Sequence, residues 1–551
     1  MSADLDVLAG QTPAYDAYVA GFDYEALAAK VLSGSVTGGL NACVECCDRH
    51  AGDTAAVALH WENKDGDRAT VTFAELQARA ARFANVLKAQ GVQPGDRVAG
   101  LLPRIPELLT VILGTWRAGA VYQPLFTAFG PKAIEYRCGA SEAKLVVTDA
   151  ANRSKLDDVK GCPAIMTIAA PRDGDLDFAA EMDRASEDFA PVMRGAEDPF
   201  LMMFTSGTTG LPKGVAVPLK AMVAFYEYMR FSVDLRPDDR YWNIADPGWA
   251  YGLYYAVTGP LMMGHATTLY DGPFTVDGTY KVILDNGITN LAGAPTAYRL
   301  LMGAGKEPAA AVKGKLRVVS SAGEPLNPEV IRWFDDALGC PIYDHYGQTE
   351  MGMAVCNHHA LLHPVEAGSA GVPLPGFAIG VLDEETLEEL PPHKPGILAV
   401  RRPASPGFWF QGYWQQETKS FKGDWYLTGD TVELNEDGSI AFVGRSDDII
   451  TSSGYRIGPF DVESALIEHP AVAETAVIGK PDPERTEIVK AFVVLKKGIE
   501  GTPELAEELQ MLVKKRLAAH AYPREVVFVE ELPKTPSGKI QRFLLRKQES
   551  V

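Results

Sequence analysis

The sequence predicts an α/β fold, with a large N-terminal domain of two α/β subdomains plus a β-rich lobe, followed by a small α+β C-terminal domain. Three observations support this prediction. Helix-like and strand-like apolar patterns alternate along much of the chain before residue 365, which favours parallel sheets covered by helices. From about residue 365, short apolar runs are separated by Gly and Pro. After residue 446 the chain resumes as a compact α/β unit, so we expect domains over residues 1–446 and 447–551.

The first clear elements follow residue 72. Thr72 and Glu75 form a capping-box pattern, which predicts a helix that starts at residue 73 and ends near Gly91. The residues 97–102 predict a buried strand, 105–116 a helix, and 120–125 and 144–148 two further strands. This alternation is typical of a parallel sheet.

Later segments are interpreted in the same way. The apolar run 200–204 predicts a strand. In the C-terminal unit, Thr502 followed by Pro503 is a favourable helix start, because proline has the backbone angle of a first helical residue. Residues 525–529 predict another strand.

Composition excludes several functions. The 551 residues include 52 Lys and Arg against 72 Asp and Glu, a net charge of −20. This charge argues against a nucleic-acid partner, because phosphate neutralisation needs a basic surface. An apolar share of 46% is typical of a globular chain. The sequence shows neither a secretory signal pattern nor an 18-residue apolar run, so we expect no membrane partner and a cytoplasmic location. The oligomeric state stays open.

Two clusters of metal-ligand residue types are interpreted as structural. Cys43, Cys46 and Cys47 lie near His50, but no second C-x-x-C pair exists to complete a typical zinc pattern, so we expect buried thiols. A histidine cluster near the middle of the chain also lacks a known zinc spacing and is expected at the surface. Its members are His345, His358, His359 and His363.

The strongest chemical signal is residues 205–214, TSGTTGLPKG, directly after a predicted strand. Glycines let backbone N–H groups approach an anion, and hydroxyls and a lysine add donors, so the segment favours phosphate binding. The candidate donors are Thr205, Ser206, Gly207, Thr208, Thr209 and Lys213. It is not a Walker A loop, because Pro212 stands where that pattern requires glycine. A flexible surface loop is the alternative reading.

Six ordered segments of the chain together resemble the adenylate-forming superfamily, which includes acyl-CoA synthetases, luciferases and peptide-synthetase adenylation domains. The matching segments are 205–214, 321–325 (SAGEP), 343–350 (YDHYGQTE), 426–430 (YLTGD), 444–456 and 533–539 (PKTPSGK). Residues 40–50 and 245–264 are similar to the branch of acetyl-CoA and medium-chain acyl-CoA synthetases.

The resemblance implies a ligase that uses ATP, Mg²⁺ and CoA and rotates its C-terminal domain between two half-reactions. It implies catalytic roles for Lys539, Thr349 and Glu350, with Glu350 also placing Mg²⁺. Besides the six phosphate-loop residues, the implied nucleotide-binding residues are Gly323, Glu324, Pro325, Asp344, Tyr346, Gln348, Asp430, Arg445 and Arg456. The implied CoA-binding residues are Phe129, Gly130, Ser453 and Gly454, and the implied hinge is Asp447.

The acyl pocket departs from the acetyl-CoA synthetases that the chain resembles. Those enzymes carry a Trp just before the Gln-Thr-Glu of their motif, whereas this chain has Gly347. Replacing an indole by hydrogen removes on the order of 200 Å² of apolar surface. We therefore predict an acid larger than acetate, a straight or branched short- or medium-chain fatty acid. Trp249 resembles the pocket aromatic of the same branch.

Other substrates and functions stay open at this point. An aromatic acid also fits a roomy apolar pocket, and an acceptor other than CoA would give a different adenylating ligase. The pocket-like segment contains no basic residue, so a dicarboxylic acid is not expected. A catalytically silent sensor would be expected to have lost the phosphate loop or Lys539, and both are present.

Overall fold

The computed structural model describes residues 12–205, 211–453, 455–518, 520–535 and 538–549. Three sheets organise these residues, two before residue 446 and one after it. Helices pack against the sheets, so the α/β class and the large N-terminal and small C-terminal units predicted from the sequence are confirmed. The boundary at residues 446 and 447 stays a prediction.

The first sheet is parallel except at one edge. In spatial order its strands are β7 (Leu176–Asp177), β6 (Ala164–Ile168), β5 (Leu145–Asp149), β3 (Arg97–Leu101), β4 (Val121–Pro124), β8 (Pro199–Phe204) and β9 (Gly214–Pro218). The four predicted strands before residue 205 are found within one residue at each end. The chain runs from β3 to β4 and then crosses to β5 on the other side of β3. Such a change of direction leaves a crevice beyond the carboxyl ends of the strands, where α/β proteins bind ligands.

The second sheet joins the second α/β subdomain to the β-rich lobe. In spatial order its strands are β17 (Ile379–Leu382), β18 (Gly396–Arg401), β20 (Trp425–Leu434), β21 (Ile440–Arg445), β16 (Ser369–Pro373), β15 (Gly352–Cys356), β14 (Ile342–Gln348), β13 (Val318–Ala322), β12 (Asn290–Gly293), β10 (Tyr241–Asn243), β11 (Thr267–Asp271), β1 (Val57–Asn63) and β2 (Arg68–Thr72), with β19 (Phe421–Lys422) beside β20. Pairing is parallel from β14 to β1 and antiparallel from β14 through the lobe. The change of sequence pattern near residue 365 therefore marks a change of pairing.

The third sheet forms the C-terminal unit. Its strands are β23 (Tyr455–Ile457), β22 (Ile450–Ser452), β25 (Thr486–Leu495), β24 (Val472–Asp482) and β26 (Glu525–Phe528), the last beside β25. The predicted strand at residues 525–529 corresponds to β26. The side chain of Thr502 accepts the backbone N–H of Leu505 at 3.2 Å, which caps the predicted helix at residue 503.

The helices cover both faces of the sheets. Their bounds are α1 (Tyr15–Ala20), α2 (Tyr24–Val31), α3 (Ala42–Cys46), α4 (Phe73–Ala89), α5 (Pro106–Arg117), α6 (Pro131–Ser141), α7 (Phe178–Arg184), α8 (Ala221–Glu227), α9 (Ala250–Gly252), α10 (Gly259–Met262), α11 (Val276–Asn286), α12 (Pro295–Gly303), α13 (Lys306–Ala309), α14 (Pro328–Leu338), α15 (Pro459–Ile467), α16 (Pro503–Arg516) and α17 (Arg542–Glu549). The capping box at Thr72 and Glu75 is present at the start of α4. None of the helices in the described ranges is long and apolar enough to cross a bilayer.

The two metal-like clusters have different environments. Cys43, Cys46 and Cys47 are fully buried, as expected. The predicted surface position is wrong for His345 and His358, which are each only 2% exposed, whereas His359 and His363 are partly exposed. His345 lies on β14, where the Tyr228 hydroxyl is 2.8 Å from its Nδ1 and the Asn357 carbonyl oxygen is 2.9 Å from its Nε2. These partners allow a neutral imidazole to be buried without an unpaired ring nitrogen.

Candidate active site

A cavity of about 1100 Å³ lies where the two N-terminal sheets, the β-rich lobe and the C-terminal unit meet. The side chains that line it come from the ends of β8, β14 and β20, and from the loop before α17. The predicted site residues that line it are Thr205, Lys213, Trp249, Gly323, Glu324, Pro325, Asp344, Tyr346, Gly347, Gln348, Thr349, Glu350, Asp430, Arg445 and Lys539. Residues from distant parts of the sequence therefore converge on one space.

One end of the cavity carries the ends of the phosphate loop. The backbone N–H of Thr205 donates to the Lys213 carbonyl at 3.0 Å, which closes the base of the loop between β8 and β9. The Lys213 ammonium lies 4.6 Å from the Tyr413 ring centroid, a cation–π contact. The four predicted phosphate-binding residues between them lie outside the described residues. They are Ser206, Gly207, Thr208 and Thr209.

A carboxylate lies beside this cation. Glu350 is 8% exposed, and the Tyr413 hydroxyl donates to its Oε1 at 2.8 Å. Burial raises the pKa of Glu350, and the Tyr413 hydrogen bond opposes that rise. The Tyr254 hydroxyl donates to the Thr349 carbonyl at 2.9 Å, which fixes the turn between β14 and β15. The position of the Glu350 carboxylate is thus fixed by its hydrogen bond with Tyr413.

Asp430 on β20 forms the most connected carboxylate of the site. Its Oδ2 accepts the Tyr346 hydroxyl at 2.5 Å and the Gln348 amide at 2.8 Å. The Arg445 Nε lies 3.5 Å from Asp430 Oδ1. Burial raises the pKa of Asp430, whereas the charges of Arg445 and Lys539 lower it. A buried carboxylate in this setting can accept two neighbouring hydroxyl groups of a ligand.

Asp344 and Glu324 mark another wall of the cavity. Asp344 is 8% exposed, its Oδ1 makes no hydrogen bond with any described group, and burial raises its pKa to about 8. The Glu324 carboxylate accepts hydrogen bonds from the Thr296 hydroxyl at 2.9 Å and from the Arg299 guanidinium at 2.7 Å. The side chain of Glu324 is therefore engaged with α12, while Asp344 presents an unsatisfied polar atom.

Lys539 reaches the cavity from the C-terminal unit. It lies in the loop between β26 and α17, and its side chain is exposed toward the cavity that Asp430 also lines. Gly538, next to it, has a φ of +91°, a conformation that side chains of L-residues rarely adopt. An ammonium from one unit is thus placed with carboxylates of the other.

Comparison with known families identifies this arrangement. The profile of the AMP-binding enzyme family matches residues 44–414, and the profile of the AMP-binding enzyme C-terminal domain matches residues 461–539. The first match alone spans more than half of the chain. The chain belongs to the AMP-binding enzyme family.

Individual relatives agree with the profiles. An acetyl-coenzyme A synthetase of Bacillus subtilis is 40% identical over 524 residues, covering 93% of this chain and 91% of the relative. The crystal structure of an acyl-CoA synthetase of Brucella canis shares 61% identity over 98% of this chain and 99% of that chain, with a TM-score of 0.80. A benzoate CoA ligase of Burkholderia xenovorans shares 30% identity over 92% of this chain and 100% of that chain, with a TM-score of 0.81. This AMP-binding enzyme is an acyl-CoA synthetase, with a carboxylic acid, ATP and CoA as substrates.

Some predicted residues of the AMP-binding enzyme are not brought to the cavity. Arg456 is exposed and lies 3.7 Å from Glu384, away from the other nucleotide-binding candidates. Ser453 is also exposed, with a φ of +51°, and Gly454 lies outside the described residues. Asp447 lies 3.7 Å from Arg445, at the junction of the two units. In this orientation neither Ser453 nor Arg456 lines the cavity that Lys539 enters.

Phe129, a predicted CoA-binding residue, packs among aromatic and cationic neighbours. Its side chain is 7% exposed, the Arg137 guanidinium lies 4.1 Å from its ring centroid, and the Trp249 ring lies 5.5 Å away. Arg137 covers one ring face and the Trp249 contact is edge-on, and the predicted CoA-binding role of Phe129 stays a prediction. Its neighbour Gly130 is exposed at the start of α6, and its role stays a prediction.

Gly347 has a different reason for being glycine than the sequence suggested. A Cβ atom built there would lie 2.2 Å from the Gly352 carbonyl oxygen and 2.8 Å from the Met353 Cα. These are backbone atoms of β15, so β14 and β15 approach too closely for a side chain here. Gly347 lines the cavity, but an indole side chain would not fit at this position without a shift of the backbone of β15.

Sequence reasoning missed an ion pair in the cavity wall. Arg104, in the loop after β3, has its Nε 3.6 Å from Asp246 Oδ2, and both residues line the cavity near Trp249. The pocket-like segment itself contains no basic residue, but Arg104 reaches the cavity from another part of the chain. The sequence did contain a hint of this, because Arg104 follows directly after a parallel strand, where ligand-binding residues are commonly found. Since Asp246 compensates the charge, Arg104 does not by itself favour a dicarboxylic acid.

Proposed function

We propose that this enzyme activates a short- or medium-chain fatty acid, straight or branched, through an acyl-AMP intermediate. The observation that carries the proposal is the composition of the cavity. The cavity is lined by aromatic side chains, including Phe126, Trp249 and Tyr254, and also by the nucleotide-binding candidates. An apolar tail can bind to the aromatic wall while its carboxylate faces the phosphate groups.

In adenylation, the acid's carboxylate oxygen attacks the α-phosphorus of ATP, the bond from that phosphorus to the α,β-bridging oxygen breaks, and pyrophosphate leaves. Both reactants are anions, so the step needs fixed cations and donors where charge builds up. Lys539 and Lys213 supply ammonium groups, Thr349 supplies donors, and Arg445 adds a guanidinium at the cavity edge. We assign to Lys539 the contact with the carboxylate and the α-phosphate.

The metal candidate fits Mg²⁺. Mg²⁺ usually binds through one or two carboxylates together with substrate phosphates and water. The described residues contain no group of three metal-ligand side chains, whereas Glu350 offers a buried carboxylate beside the phosphate loop. Glu350 would hold the ion, and the bound ion would neutralise phosphate charge.

The remaining candidate residues are assigned to the ribose, the adenine and CoA. Asp430 offers two carboxylate oxygens to the ribose hydroxyls, in the position that Tyr346 and Gln348 fix. The unsatisfied Oδ1 of Asp344 is a suitable partner for the amino group of adenine. We assign CoA binding in the second half-reaction to Gly130, Ser453 and Gly454. The CoA thiolate then attacks the acyl-AMP carbonyl and releases AMP, after a rotation at Asp447.

An aromatic acid is the second candidate, and one observation favours it. The wall of the cavity is itself aromatic, with Phe126 and Trp249 ring centroids 5.4 Å apart, and offset or edge contacts between rings are favourable. A benzoate CoA ligase is among the similar structures. A flat ring could occupy the same space as a branched chain.

The test is AMP release with ATP, Mg²⁺ and CoA across straight acids from acetate to octanoate, with isobutyrate and benzoate alongside. A maximum at a straight chain longer than acetate or at isobutyrate supports the fatty-acid proposal. A maximum at benzoate favours the aromatic alternative. Pyrophosphate exchange without CoA-dependent AMP release would contradict the proposed use of CoA.

A further inference from the structure

A half-exposed ion pair lies beside the loop that carries Lys539. The Lys534 ammonium lies 2.7 Å from both Glu474 Oε1 and Glu474 Oε2. Lys534 is five residues before Lys539, and Glu474 lies on β24, opposite Val494 of β25. Both members of the pair line the same cavity as Lys539. Neither is among the residues assigned above to ATP, acid or CoA.

Backbone contacts connect Lys534 to Lys539. Lys534 and Ile540 form an antiparallel bridge. The Thr535 N–H donates to the Lys539 carbonyl at 2.7 Å, and the Lys539 N–H donates to the Thr535 hydroxyl at 3.0 Å. A displacement of Lys534 would therefore move the backbone of Lys539 with it.

The other end of the loop is held by a second ion pair. Arg542, the first residue of α17, places its Nη2 2.7 Å from Glu463 Oε1 and 2.8 Å from Glu463 Oε2. Glu463 is 6% exposed and also accepts the Val477 N–H at 2.8 Å. This pair is buried and belongs to the core contacts of α15, so its loss would affect folding. The Lys534–Glu474 pair is the one that can be altered without that effect, since half-exposed pairs add little to stability.

We propose that Glu474 is a positioning residue for adenylation, which holds Lys539 in place through Lys534. The proposal rests on the assignment of Lys539 to adenylation given above. Lys539 has a long flexible side chain on an exposed loop, so the loop backbone must be fixed for the ammonium to meet the phosphate in a productive geometry. Misplacement by about 1 Å can cost about a hundredfold in rate.

The test measures each half-reaction separately in the full-length enzyme. Glu474→Gln and Lys534→Gln remove one charge each, and we expect each to slow acyl-AMP formation about tenfold to a hundredfold. Thioester formation from supplied acyl-AMP and CoA is expected to stay at the wild-type rate. The double variant with Glu474→Lys and Lys534→Glu restores an ion pair of reversed polarity and is expected to recover most of the adenylation rate.

A matched control is available in the same unit. Lys480 lies 2.7 Å from Glu525 Oε1 and 2.9 Å from Oε2, a pair of similar exposure that does not border the Lys539 loop. Glu525 also lies 3.0 Å from the buried Lys490, so the control variant is Lys480→Gln, which is expected to leave both half-reactions unchanged. It shows what the loss of a half-exposed pair does to this unit in general.

Three results would overturn the proposal. If Glu474→Gln adenylates at the wild-type rate, the pair does not position Lys539. If Glu474→Gln lowers both half-reactions equally and lowers the melting temperature, the pair is structural. If the reversed pair stays as slow as Lys534→Gln, Lys534 itself contacts the substrate. Failure of the proposed function is distinguishable, since the wild-type enzyme would then form no AMP from any acid, or Lys539→Ala would still adenylate.

Discussion

Individual residues decide the size of acid that this cavity accepts. Gly347 is a poor position for a test, because a side chain there would collide with the backbone of β15. Ala250, between Trp249 and Tyr251 at the start of α9, lines the cavity and is partly exposed to it. Its methyl group therefore faces space that a larger side chain can fill.

Ala250→Leu is expected to shift the preference of the enzyme toward shorter acids, because three added carbons occupy part of the cavity. The measurement is kcat/KM across the straight acids. One missing or added methylene in an apolar pocket changes discrimination by about 10- to 200-fold, so a shift of one or two carbons is measurable. Ala304→Leu, at an exposed position after α12, is the control and should leave the profile unchanged. An unaltered profile in Ala250→Leu would place the acyl chain elsewhere.

A second residue-level consequence concerns pH. Burial lowers the pKa of His345 to about 3, below its ordinary value of 6.5, so the folded chain favours the neutral ring. The stability from this group is fully present above pH 6.5 and is lost as the pH falls below 6.5 toward 3. Raised carboxyl pKa values, such as that of Asp344, act in the opposite direction, so the effect must be isolated by a variant.

His345→Gln keeps an acceptor and a donor but cannot take up a proton. We expect the apparent free energy of unfolding to fall less steeply with acid in this variant than in the wild type. Below pH 6.5 the unfolding free energies of the two proteins should diverge by about 1.4 kcal/mol per pH unit, because unfolding of the wild type then takes up one extra proton. Urea unfolding at pH 7.5, 6.5 and 5.5 measures it. Parallel slopes would mean that His345 is protonated in the fold.

At the level of elements, the sequence predicted α4 because its signal is local. Thr72 and Glu75 satisfy backbone N–H groups within four residues, so no distant contact is needed. The same reasoning located the strands of the first sheet. It failed where tertiary contacts decide, namely the burial of His345 beside Tyr228 and the close approach of β15 to Gly347.

The capping box gives an element-level prediction. Thr72→Ala removes the acceptor of the Glu75 N–H and is expected to destabilise the start of α4 by about 1 kcal/mol. A loss of about 1 kcal/mol raises the opening equilibrium about fivefold, since 1.4 kcal/mol corresponds to a tenfold change in an equilibrium constant. Hydrogen exchange of the backbone amides in residues 72–78 should therefore be about fivefold faster. Thr72→Ser keeps the oxygen and is the control. Equal exchange in all three proteins would show that tertiary packing alone holds this end of α4.

At the level of the whole molecule, the candidate site is shared between the N-terminal and C-terminal units. Most of the described residues that the motifs single out do line the cavity, because each motif keeps its residues at fixed spacing on a strand end or loop. They did not predict which of them meet in one orientation. Lys539 lies with Asp430, while Arg456 lies beside Glu384. That division follows from the placement of the C-terminal unit, which no local pattern encodes.

Lys539→Ala tests the shared site. We expect it to abolish acyl-AMP formation, because the ammonium that faces both anions is lost, and to leave thioester formation from supplied acyl-AMP largely intact. Single-turnover assays of each half-reaction measure the two effects. Lys547→Ala, on α17, provides a control for the loss of one positive charge. Equal loss in both half-reactions would count against separate roles for the two faces of the C-terminal unit.

The pairing of β1 with β11 also has a consequence for how the chain is made. Leu59 lies opposite Thr267, so the β1–β2 hairpin, synthesised early, meets its parallel partner about 200 residues later. At about 5–20 residues per second, a ribosome needs about 10–40 s to deliver that partner. During this interval the edge of β1 that later pairs with β11 is open, with unpaired backbone groups. The nascent chain is thus available for chaperone binding or aggregation at this edge until β11 emerges and pairs with β1.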